Sequence, residues 1–166
     1  MRVALVPPRV FLTNKAPYFI FLRGTERDQA YVLGVLSSLV LDWYARRFIE
    51  INANFFIINP FPVPRTDSKS ALREIVIARA GRLAAVDGRF RNWAKEVGVE
   101  CGPLPEDERE SAIHEIDAAV AHLYGLTEEQ LVHIFETFHV GWDCQGRLAA
   151  TLKQFRKLVS KKPHQS

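Results

Sequence analysis

A helix-dominated α+β fold is what the sequence predicts. A small antiparallel sheet forms from the first two dozen residues, packs on a buried helix, and leads into a C-terminal helical subdomain. Three observations predict it. Runs of β-branched and aromatic residues fill residues 2–23, each closed by turn-forming residues. The next twenty or so residues would be apolar on nearly every side of a helix. From residue 68 onward, apolar residues recur at helical spacing.

The elements follow in order. Val3–Val6 precedes Pro7-Pro8, Val10–Leu12 precedes Thr13-Asn14-Lys15, and Tyr18–Leu22 ends at Gly24, so all three runs read as strands. Thr25 or Asp28 then caps a helix running from Asp28 to about Glu50. Its apolar residues, from Val32 to Phe48, spread round the whole circumference. The uncharged core of that helix falls short of the roughly 20 residues a membrane span needs, so it reads as a buried core helix. Phe55–Ile58 could add a further short strand to the sheet.

Pro60, Pro62 and Pro64 stand at alternate positions. They remove three backbone donors and hold φ near about −65°, which rules out helix or central strand and makes a stiff connector. The polar stretch Thr66–Ser70 follows and marks the boundary between a subdomain over 1–65 and a helical subdomain over 66–166 with a frayed basic tail. Ser68 or Ser70 caps an amphipathic helix over 70–98, whose apolar stripe includes Leu72, Val76, Leu83, Phe90 and Val97. Gly81 and Gly88 fall opposite the stripe, and Asp87-Gly88 is where this helix can break. Arg79 interrupts the stripe and must snorkel or pair. A helix over 109–124 ends at Gly125. The capping box Thr127–Gln130 opens another that reaches about Phe138. A basic helix from about Arg147 to Val159 comes last.

Charge divides the chain. Residues 1–95 hold 15 Lys and Arg against 7 Asp and Glu, residues 96–144 hold 1 against 12, and residues 145–166 hold 6 against none. A basic first half points to a polyanionic partner, and the acidic middle must face elsewhere. The two cysteines, Cys101 and Cys144, lie far apart and read as reduced thiols of a cytoplasmic protein. His114, His122, His133 and His139 lack the short pair spacings of a zinc site. No Ser or Cys nucleophile has an evident base, and no glycine-rich phosphate loop is present. The sequence therefore predicts no catalytic residues, no metal and no cofactor in this chain.

Asn59-Pro60-Phe61-Pro62 resembles a scrambled Asn-Pro-Pro-aromatic loop of amino-methyltransferases. With Pro60 and Phe61 exchanged, the ring does not fall where it would stack on a flipped base. Two longer stretches resemble adenine-specific DNA methyltransferases of the restriction–modification type. In residues 17–64 the match is Leu33-Gly34-Val35-Leu36-Ser37-Ser38, then Asp42-Trp43-Tyr44, then Asn59–Pro64, with Ser37 where the family usually has Asn. The second is "IDAAVAHLYGLTEEQLVHIFETF", Ile116–Phe138, similar to a helix pair that closes many single-chain methylase–restriction polypeptides.

The resemblance implies the C-terminal target-recognition region of such an enzyme, with the methyl donor S-adenosylmethionine and the catalytic loop on an upstream or partner catalytic domain. Double-stranded DNA is then the expected ligand. Phosphate contacts are expected from Lys15, Arg23, Arg27, Arg46, Arg47, Arg65 and Arg73, because arginine forks fit phosphates and guanine edges. Base readout is expected from the loops Thr13–Pro17 and Arg23–Arg27. The alternative is a helical protein–protein interaction or scaffold domain without catalytic activity, which suits the acidic helices over 106–136 better.

Overall fold

The computed structural model describes residues 3–13, 16–49, 53–138 and 144–159, and every regular element among them is helical. The chain forms α1 (Glu26–Ser37), α2 (Leu39–Ala45), α3 (Phe55–Ile58), α4 (Ala71–Ala84), α5 (Arg91–Val97), α6 (Glu106–Leu123), α7 (Glu128–Glu136) and α8 (Cys144–Val159), with a 3₁₀ turn at Gly88–Phe90. The described fold is all-α, which corrects the expected α+β class and its antiparallel sheet. Strand propensity measures fit to a paired, pleated surface rather than an intrinsic backbone state. Val3–Val6, Val10–Leu12 and Tyr18–Leu22 find no strand to pair with among the described residues. Among the described residues of this arm, the one backbone hydrogen bond runs from Ala16 N–H to Thr13 O at 3.0 Å. Phe55–Ile58 is not a strand either. The Asn54 side chain accepts from Ile57 N–H at 3.1 Å and nucleates a single helical turn.

Helix ends follow local chemistry. Thr25 caps α1 and Asp28 answers it reciprocally: Thr25 N–H donates to the Asp28 carboxylate at 2.7 Å and Asp28 N–H to Thr25 Oγ1 at 3.3 Å. Thr127 and Gln130 repeat the arrangement at α7. Gly125 takes φ 69 just beyond α6, a left-handed turn that favours glycine. The expected helix over 70–98 does break near Asp87, whose side chain accepts from Arg89 N–H at 2.9 Å and starts the 3₁₀ turn.

The helices stack in sequence order: α1 on α4, α4 on α6, α6 on α8, with α2 against α6 and α7 against α2 and α8. Gly34 makes the first contact possible, since a Cβ there would lie 2.5 Å from Val76 Cγ1 and 3.0 Å from Ala80 Cβ. Gly81 does the same against α5, where a Cβ would meet Val97 Cγ1 at 2.8 Å. It is therefore a packing glycine, not a spectator opposite the stripe. At the centre, Ile116–Ala121 of α6 is buried on every side, and its alanines let neighbouring helices approach closely.

The predicted single helix over 28–50 is two helices. Ser38 leaves helical geometry (ψ 150), ends α1 and caps α2, its Oγ accepting from Leu41 N–H at 3.3 Å. The opened Leu39 N–H donates to Asp117 Oδ1 of α6 at 2.8 Å. Asp117 Oδ2 accepts from Arg147 Nη2 of α8 at 2.6 Å and Nε at 3.1 Å. One carboxylate, 1% exposed, thus joins α2, α6 and α8. Burial pushes the Asp117 carboxyl up, opposed by Arg147 and the Leu39 N–H.

Candidate nucleic-acid interface

The seven residues expected to contact DNA divide by what surrounds them. Lys15 lies outside the described residues. Arg27 and Arg73 meet at the seam between α1 and α4, each against a carboxylate: Arg27 pairs with Glu74 and Arg73 with Asp28. Arg27 also donates to Val97 O at 2.7 Å, tying in α5. The Arg73 side chain is 13% exposed and its guanidinium lies 4.3 Å from the centre of the Tyr31 ring. Arg46 pairs with Asp42 at 3.3 Å and covers Phe138. These three arginines serve the fold.

Arg23, Arg47 and Arg65 differ. All three are exposed, and none has a carboxylate partner among the described residues. The Arg47 guanidinium lies over the Trp43 ring, 5.0 Å from its centre, on an exposed side chain. Arg23 immediately precedes the Gly24 turn (φ 98) into α1. Arg65 follows the proline-rich connector.

That connector is anchored. Tyr124 Oη donates to Pro62 O at 2.7 Å and Tyr31 Oη to Pro64 O at 2.8 Å. Phe61 is buried with its ring edge-on to Tyr44, centroids 5.9 Å apart. Val63 N–H donates to Phe61 O at 3.0 Å, closing a three-residue turn about Pro62. Burial, with Tyr31 and Tyr44 adding to it, pushes the Tyr124 phenol up to about 12, and burial raises Tyr31 too, so both hydroxyls serve as donors at neutral pH. With Phe61 buried and two carbonyls occupied, Asn59–Pro64 works as a strap across the α1–α6 side of the molecule.

Ionisable groups elsewhere serve the fold. The Thr25 N–H first, then its hydroxyl and Arg73, hold the Asp28 carboxyl below its ordinary value. Burial holds His114 below its ordinary value despite Asp117 nearby. Arg79, which interrupts the apolar stripe, pairs with Glu115 at 2.9 Å. Cys101 Sγ donates to Asp87 O at 2.9 Å. Among the described residues no group of three or more His, Cys, Asp or Glu is placed to hold a metal ion, and no helix is long and apolar enough to cross a membrane.

Sequence reasoning missed two features. The Asp117 junction had a signal, a carboxylate inside the apolar run Ile116–Ala121, which demands a buried partner. The other is an apolar cavity of about 780 Å³ between the N-terminal arm and α1, lined by Val3, Leu12, Phe19 and Phe21 on one side and Val32 and Leu36 on the other. Compared with known proteins, the chain matches no family model, no curated protein and no solved structure.

Proposed function

We propose that the chain is the DNA-binding specificity module of an adenine-specific DNA methyltransferase or restriction–modification enzyme. It works in the cytoplasm beside an upstream or partner catalytic domain that binds S-adenosylmethionine. The observation that supports this reading is the set Arg23, Arg47 and Arg65. These are cations at three chain junctions of the basic half, exposed and free of carboxylates among the described residues. Arg27, Arg46 and Arg73 support the helices instead and are not proposed to touch phosphate. A salt titration of duplex binding tests it. Binding should weaken steeply from 50 to 200 mM salt, with a log–log slope of about −0.9 for each phosphate that the protein neutralises. Replacing Arg23, Arg47 and Arg65 together by alanine should flatten that slope, while Glu74→Gln should not. Absent or salt-independent binding of duplex would defeat the reading.

The alternative, a helical interaction domain, is favoured by one observation. Large apolar side chains stand exposed along the arm, Phe11 fully so. Contiguous exposed apolar surface marks interaction sites. A chain that binds no DNA but a partner protein would decide for it.

A further inference from the structure

We infer that the N-terminal arm is a docking strand: residues Pro17–Leu22 add to the edge of a β-sheet in a partner polypeptide whose edge is flanked by acidic side chains. The inference rests on the reading above only in that the chain works beside another polypeptide, and it holds with or without DNA binding.

The run is neither helical nor paired. The amides of Tyr18, Phe19, Ile20, Phe21 and Leu22 have no hydrogen-bond partner among the described residues. From Phe19 its side chains alternate. Tyr18, Phe19 and Phe21 line the cavity against α1. Ile20 and Leu22 do not, and stand 70% and 89% exposed. Over Phe19–Leu22 this is the period of a strand with one face partly covered by its own helix and the other open to solvent. An unpaired row of donors and acceptors between apolar side chains is completed by another strand. A bilayer offers no backbone partners, and a phosphate surface offers nothing to Ile20 and Leu22.

Charge narrows the partner. Residues 1–25 contain Arg2, Arg9, Lys15 and Arg23 and no Asp or Glu. Pairing with a second copy brings like charges together in either direction. Parallel pairing sets Arg23 on Arg23, and antiparallel pairing about Phe19–Ile20 brings Arg23 beside Lys15 of the other copy. An edge flanked by Asp or Glu removes that repulsion and steers the encounter.

The test uses the full chain and three labelled synthetic strand peptides of alternating Thr and Val. One carries Glu at both ends, one carries Lys, and one is Glu-ended with its backbone N-methylated on the pairing edge. The Glu-ended peptide should bind and should slow hydrogen exchange at the amides of residues 18–22. The Lys-ended peptide should bind at least tenfold more weakly and the N-methylated one not at all. Ile20→Pro should abolish binding with helical circular dichroism unchanged, since Ile20 lies outside the helical core. The inference is overturned if those amides are already protected in the free chain, or if the three peptides bind alike or not at all. It is also overturned if the arm binds only phosphatidylserine vesicles, or if the wild type sediments as a dimer that Ile20→Pro dissolves. Duplex binding, measured on the same Ile20→Pro variant, should be unchanged, so failure of the docking strand and failure of the DNA reading are told apart.

Discussion

The helical stack and the N-terminal arm are two solutions to one problem, and only the first is complete within the chain. In the stack, the buried carboxylate that α6 carries meets a backbone N–H of α2 and a guanidinium of α8, so Asp117 has its partners. Gly34 and Gly81 let helices close until a valine methyl of the next helix fills the space a side chain would take. In the arm, aromatic and β-branched side chains are as apolar as those of the core, yet Phe11, Ile20 and Leu22 remain in solvent and their backbone is unpaired among the described residues. Hydrophobicity alone therefore does not make a core. The stack folds because its apolar stripes meet other stripes at the same period, while the arm has period-two residues and no second strand among the described residues.

The contrast can be broken most forcefully at the junction of α2, α6 and α8. Asp117→Ala removes the acceptor for Leu39 N–H and leaves Arg147 without its buried carboxylate. It should cost about 3–5 kcal/mol in urea unfolding, the range for removing one member of a buried ion pair. Gly34→Val should cost roughly 1–3 kcal/mol by overpacking the α1–α4 contact, and Val76→Ala added to it should recover part of that cost, because the clash is with Val76 Cγ1. A change of less than about 0.5 kcal/mol in either variant, the ordinary range for a surface substitution, would mean the stack is no more tightly specified than the arm.

A smaller effect concerns pH. Burial holds His114 below its ordinary value, so the folded state prefers the neutral ring. That contribution is fully present above the unfolded value near 6.5 and is lost as pH falls through the folded one. His114→Gln should flatten the fall in stability between about pH 7 and pH 5, read from thermal midpoints across that range. An unchanged profile would place the acid sensitivity elsewhere. Asp28 does not compete within this window, since its depressed carboxyl loses stability only at lower pH. The smallest effect belongs to the arm. Phe11→Ser, at a fully exposed side chain, should change unfolding free energy by no more than about 0.5 kcal/mol while raising solubility. A cost comparable to that of Gly34→Val would show that the arm belongs to the core after all.

Local chemistry is legible from the amino-acid order. The capping boxes at Thr25 and Thr127, the stop at Gly125, the break at Asp87-Gly88 and the proline connector each depend on residues within about one helical turn, where spacing in sequence is spacing in space. The amphipathic helices are legible for the same reason. The sheet is misread because strand formation needs a partner that propensity does not supply. The break at Ser38 is hidden because the Leu39 N–H it opens is satisfied by Asp117, 78 residues away. The arginines show the same division. Their number and their place in the basic half are properties of the sequence. Whether a given one faces solvent or a carboxylate was decided by which helices came together, as when α1 meeting α4 set Arg73 on Asp28 and Arg27 on Glu74. Sequence by itself determines what each residue can offer to its near neighbours; tertiary packing decides which distant groups take the offer, because burial and pairing are relations between segments that the linear order does not contain.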